Sequence, residues 1–84
     1  YGISQPNGIA IAGGRFYVVE RTNDRVRGYE LATGDLEVTV GSSGSGDGQF
    51  LTPRAVASDG SFLYVTDDGR HDVQKFALDG TFVA

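Results

Sequence analysis

Apolar residues recur along this chain in short alternating runs separated by polar or glycine-bearing pairs, and the pattern is written twice. The run from Pro6 to Leu31, PNGIAIAGGRFYVVERTNDRVRGYEL, returns from Pro53 to Leu78 as PRAVASDGSFLYVTDDGRHDVQKFAL. At the offset 53 − 6 = 47, Pro6, Ala10, Gly13, Tyr17, Val18, Val26 and Leu31 each meet an identical residue without a gap. Ile9 meets Val56, Phe16 meets Leu63 and Tyr29 meets Phe76, apolar against apolar.

The period inside each unit is two, which is the period of a strand. From Gly8 to Ala12, Ile9 and Ile11 share one face and Gly8, Ala10 and Ala12 the other, where small residues permit close approach of a second sheet. Phe16 to Glu20 is the clearest strand. Phe16 and Val18 point one way, Tyr17 and Val19 the other, and a strand apolar on both faces is a buried one. Leu63-Tyr64-Val65 repeats it in the second unit. Gly13-Gly14 and Asp59-Gly60 have the chemistry of two-residue hairpins, and Thr33-Gly34 and Asp79-Gly80 close the next ones. Polar turns at Arg21–Asp24 and Asp68–His71 separate the second strands from the third, Arg25–Leu31 and Asp72–Leu78. A fourth strand is predicted at Leu36–Val40 and again at Thr81–Ala84. The reading is all-β, with four antiparallel strands per unit in meander order and no helical stretch. Ile3 stands three residues before Pro6 as Phe50 stands three before Pro53, so Tyr1–Gln5 reads as the tail of a connection.

Units of about 40 to 45 residues with four strands each are the pattern of propeller blades, and 84 residues over two units is 42 apiece. The boundaries are blade 1 at about 6–40, a connection at 41–52 and blade 2 at about 53–84. Four stretches carry a family resemblance: Pro-x-Gly-Ile-Ala, Tyr-Val-Val-Glu, Asn23-Asp-Arg25-Val26, and Gly-Asp-Gly-Gln-Phe before the next proline. Together they resemble NHL repeats, a family that builds β-propellers, commonly of six blades. Phytase-like and lactonase-like propellers have similar blades, so the resemblance implies a fold more firmly than an activity. The second unit has Arg70 and Asp72 where the first has Asn23 and Arg25, so turn interactions are not expected to be equal in the two.

Composition adds limits rather than direction. The hydrophobic fraction of 39% supplies a core with little margin in 84 residues, and without cysteine no disulfide can help. Eleven carboxylates against six arginines and one lysine give a net charge of −4, unsuited to nucleic acid, whose phosphates demand a basic face. No apolar run approaches the ~20 residues that span a bilayer, and the first residues lack a signal peptide's order. A soluble chain is expected, with no membrane or nucleic-acid partner and no sign of compartment.

Two stacked blades leave two sheet faces uncovered, and burial at roughly 25 cal/mol per Å² of apolar surface must offset an ordering cost of about 1–2 kcal/mol per residue. A lone two-blade monomer is expected to be unstable or sticky. Copies joined head to tail would close a ring, and three copies give six blades. The residues expected to face other blades are Ile9, Phe16, Val18, Val26, Tyr29, Val56, Tyr64, Val65, Val73 and Phe76. The chain begins and ends out of phase with its repeat, which favours a designed or excised unit over a segment of a larger natural propeller. The function expected is structural, without catalysis or cofactor, the partner being the chain itself as a trimer, with room for a small ligand at the central pore. A binding module is the first alternative, with Arg27, Arg54 or Arg70 as shallow contacts; a metal-dependent hydrolase fragment is the second.

Candidate chemistry is thin. Gly41 to Phe50, GSSGSGDGQF, lacks the Lys-Ser/Thr ending of a P-loop and precedes no helix, so it reads as a flexible connection between blades. Asp67-Asp68-Gly69-Arg70-His71-Asp72 holds three carboxylates and the sole histidine, without the spacing of an EF-hand loop. It reads as a turn in which an aspartate caps backbone amides and pairs with Arg70. With His71 as the one imidazole and the serines mostly in the glycine-rich connection, a hydrolytic triad is not expected. The strand tyrosines and phenylalanines read as core rather than as a stacking platform for bases.

Overall fold

In the computed structural model residues 6–84 are described, and side chains from residue 8 onward. The part expected for Ile3 lies outside the described residues. The first sheet is an antiparallel meander of β1 (Pro6–Ala12), β2 (Arg15–Glu20), β3 (Arg25–Glu30) and β4 (Leu36–Val40). Two short strands, β5 (Ser42–Ser43) and β6 (Gln49–Phe50), pair in parallel within the connection. The second sheet is β7 (Pro53–Ser58), β8 (Phe62–Asp67) and β9 (Asp72–Ala77) in the same order as β1 to β3.

The repeat holds at the level of backbone pairing. Ile9 pairs with Val18 and Val18 with Arg27 in the first sheet; Val56 pairs with Val65 and Val65 with Gln74 in the second. Each of these is the other moved by 47. A register irregularity follows the leading proline in both sheets, between Pro6 and Ile9 and between Pro53 and Ala55. The polar turns repeat too: Asp24 and His71, again 47 apart, both take left-handed backbone conformations, at φ 52° and 59°.

Two expectations are corrected, for the last strand and for the connection. The fourth strand of the second unit is reduced to a single bridge between Phe76 and Phe82, flanked by Ala77 N–H to Thr81 O at 2.8 Å and Val83 N–H to Lys75 O at 2.8 Å. In the first sheet β4 has five residues and reaches along β3 to Val26; Thr81–Ala84 supplies four and reaches only Lys75. The polar turn of the first unit winds into one 3-10 turn, Arg21–Asn23. The glycine-rich connection is not a free crossover: Gly44 N–H donates to Phe50 O at 3.0 Å, Gly46 N–H to Gln49 Oε1 at 2.9 Å, and Ser43 Oγ to Asp24 Oδ2 at 2.7 Å.

The main core lies between the two sheets. Tyr17, Val19, Val26 and Val40 come from the first; Val56, Leu63, Val65 and Phe76 come from the second; Phe50 of β6 closes one side. Two glycines make this contact possible. A Cβ on Gly8 would stand 3.2 Å from the Cα of Ala55, so β1 and β7 approach almost backbone to backbone. A Cβ on Gly28 would stand 2.8 Å from the Tyr17 ring, which lies over β3 where its strand neighbour has no side chain. Phe50, Phe76 and Phe82 form a series of tilted and edge-on rings with centroids 5.6 and 5.8 Å apart.

Candidate functional site

Two features of the described residues merit a functional reading: the outer faces of the sheets, and a depression at the β8–β9 turn.

The sheets do not meet through equivalent faces. The first presents its Tyr17, Val19 and Val26 face, and the second its Leu63, Val65 and Phe76 face. Moved back by 47, the latter residues are Phe16, Val18 and Tyr29, which lie on the outer side of the first sheet and form a separate cluster with the Phe16 and Tyr29 rings stacked at 5.2 Å. One sheet therefore stacks onto the next in a single direction, and each outer face is the counterpart of a face already used inside. Exposure records this. Val26 is fully buried and Val73 is 58% exposed; Val56 is 6% exposed and Ile9 is 63% exposed. Leu78 packs against the main core, while Leu31 is 50% exposed.

Of the residues expected at the interface, Val26, Val56, Val65 and Phe76 lie in the core between the sheets. Phe16, Val18 and Tyr29 are buried in the outer cluster, and Ile9 and Val73 are exposed on the two outer faces. Tyr64 is half-buried on the outer face of the second sheet. Its hydroxyl donates to Asp59 Oδ2 at 2.9 Å, which raises the phenol's pKa. Sequence reasoning omitted Tyr17, Val19, Leu63, Val40 and Phe50. The small residues at Gly8, Ala10 and Ala12 were the signal for which face of the first sheet is covered.

Polar contacts pin the internal joint. The Tyr17 hydroxyl donates to the main-chain oxygen of Leu78 at 2.8 Å, and Arg15 Nη1 donates to the same oxygen at 3.1 Å. Arg15 also pairs with Glu37 at 2.8 Å, and its pKa is raised, first by the bond to Tyr17 and then by that to Glu37. Gln74 joins β9 to the connection, accepting from Gly48 N–H at 2.8 Å and donating to Gln49 O at 2.7 Å.

The depression has a volume of about 250 Å³ and is lined by Thr66, Asp67, Asp68, His71, Asp72 and Val73. Its chemistry is that of a capped turn. Asp67, 2% exposed, accepts from the amides of Leu51, Thr52, Gly69 and Arg70 at 2.8 to 3.2 Å. Burial pushes its carboxyl up, but the four amides together outweigh burial and hold it below the usual aspartate range. Both of its oxygens are thus engaged. Arg70 pairs with Asp72 at 3.1 Å and donates to Gly46 O, so it ties the turn to the connection. The first unit solves the same place differently. Buried Glu20 takes Arg25 at 2.6 Å, with Arg27 at 3.7 Å, as the exchange of residues in the two turns anticipated. Arg54, at the rim, pairs with Asp68 at 2.8 Å. Among the described residues no three histidine, cysteine or acidic side chains gather to hold a metal ion, and no helix is long and apolar enough to cross a membrane.

In comparisons with known proteins, no family model and no curated protein matches the chain.

Proposed function

We propose that this chain is a pair of NHL-like propeller blades acting as a non-catalytic structural unit, completed into a ring by further copies of itself. The single observation behind this reading is the set of equivalent pairs Val26/Val73, Val56/Ile9 and Leu78/Leu31, in which one member is covered at the joint between the sheets and its counterpart is exposed. A unit that stacks in one direction, in which positions covered at the internal joint recur exposed at its two ends, suits a head-to-tail ring, although Phe16, Val18 and Tyr29 at the centre of the first sheet's outer side are already buried. Six blades need three chains. The metal-dependent hydrolase reading gains nothing from the one acidic turn, whose buried aspartate spends its oxygens on backbone amides.

Solution mass tests the reading. A particle of three chains of 8.9 kDa, 3 × 8.9 or about 26.7 kDa, is expected by light scattering at low micromolar concentration. A folded monomer at all concentrations up to about 100 µM would sink it, since that corresponds to association weaker than roughly −5.5 kcal/mol.

A further inference from the structure

The internal joint carries a polar contact whose two ends both recur, unjoined, on the outer faces. Tyr17 and Leu78, joined at 2.8 Å through a hydroxyl and a main-chain oxygen, have Tyr64 and Leu31 as their equivalents at the offset of 47. Tyr64 lies on the outer face of the second sheet with its hydroxyl on Asp59. Leu31, 50% exposed, follows β3 of the first sheet, whose outer side also carries exposed Ile11 and Ile9. Resting on the ring-unit reading above, we propose that copies associate head to tail, the Tyr64 face of one copy meeting Ile9, Ile11 and Leu31 of the next. In this joint the Tyr64 hydroxyl exchanges Asp59 for the main-chain oxygen of Leu31 in the neighbour, and so sets the register.

A second copy is the occupant because the surface is already matched once inside the chain. Val56 covers Val26's side of the first sheet as Ile9 would cover Val73's side of the second, and Val73, Ile9 and Leu31 are identical or alike to Val26, Val56 and Leu78, which are covered now. The match is deliberate in hand as well as in shape. Both outer faces belong to different ends of the stack, so the contact is heterologous and neither face pairs with itself.

The new joint is weaker than the internal one, for reasons visible in the residues. Ala55 stands where Gly8 allows backbone approach, Thr66 where Val19 is buried, and Asp59 where Ala12 is buried. Lys75 replaces Gly28, over which the Tyr17 ring lies, and its ammonium sits instead 4.1 Å from the Phe62 ring. The arginine that assists Tyr17 has Phe62 in its place, leaving the tyrosine as the sole side-chain donor equivalent to the internal pair. Association is therefore concentration-dependent, and the hydroxyl's share of it is measurable.

The test uses Ile9→Asp and Val73→Asp in the full chain, followed by sedimentation velocity. Both positions are exposed, so both variants keep the melting temperature of the dilute wild-type chain. Each alone stays monomeric, and an equimolar mixture forms a one-to-one heterodimer through the one undamaged joint. In an Asp59→Ala background, where the hydroxyl has no carboxylate to leave, Tyr64→Phe still assembles, with a dissociation constant raised about threefold to tenfold, as expected for one hydrogen bond. A wild-type chain that never associates overturns the ring-unit reading itself. A wild-type chain that assembles while the two aspartate variants fail to complement, or while one of them self-associates, overturns only the head-to-tail joint. An unchanged dissociation constant for Tyr64→Phe in that background overturns the role given to its hydroxyl.

Discussion

Val26 and Val73 hold the same position in the two sheets, paired with Val19 and Thr66 respectively, and differ in burial from complete to 58% exposed. The cause is the second sheet, which covers Val26 and has nothing described over Val73. Val26→Asp is therefore expected to abolish cooperative unfolding, because a buried charge without a partner costs more than a domain of this size has to spare. Val73→Asp leaves the urea midpoint of the dilute chain within error. Equal losses from the two would mean that Val73 is covered as well.

Asp67 offers a prediction with a sign in pH. Replacing it with alanine strands amides of Leu51, Thr52, Gly69 and Arg70, a loss of about 2–3 kcal/mol in urea unfolding at neutral pH. Its carboxyl titrates lower in the folded chain than in the unfolded one. Its stabilisation is thus fully present above the unfolded value near 4, and is lost as pH falls through the lower folded value. Wild type and Asp67→Ala should converge in stability as the solution is acidified below pH about 4. A gap that stays constant to pH 2 would show that the carboxylate's charge is not what the amides hold.

His71 is strained in a way that substitution can relieve. At φ 59° it occupies the left-handed region, which costs a side chain with a Cβ roughly 1–2 kcal/mol, part of which glycine returns to chain entropy. His71→Gly is expected to raise stability by up to about 1 kcal/mol, read as a rise in melting temperature. A clear loss instead would reveal a contact of the imidazole that matters more than its backbone.

Gly28 and Lys75 are equivalent in position and opposite in demand. Gly28→Ala forces a methyl against the Tyr17 ring and Val38, at 2.8 and 2.6 Å, and should cost about 1–3 kcal/mol. Lys75→Ala removes only a cation held over Phe62 on an outer face, worth about 0.5–1 kcal/mol. Chemical denaturation of both variants decides it, and a tolerated Gly28→Ala would mean that the Tyr17 ring swings clear.

The repeat, the first three strands of each unit and the hairpin turns were legible in the chain because they depend on local rules, alternation of period two and glycine-bearing turn pairs, whereas the left-handed backbone shared by Asp24 and His71 was not read from it. That an aspartate of this turn caps backbone amides was legible as well, since aspartate side chains bond amides a few residues on; that Asp67 does so while Asp72 takes Arg70 was not. Less could be read of the candidate interface. Both sides of β2 are apolar, so alternation alone could not say whether Phe16 and Val18 or Tyr17 and Val19 would meet the other sheet. Nor could it show that Phe50 and Gln49, at the end of a glycine-rich connection, would be drawn into the core and tied to Gln74.

What the sequence by itself determined is therefore everything set by neighbours along the strand or by pairing at a fixed offset. Only the tertiary structure decided which of two identical valines is covered, because burial depends on what stands across a sheet face and not on the residue that occupies it. Val26 and Val73 carry the same side chain in the same local pattern; the second sheet lies over one of them, and that contact joins residues tens of positions apart.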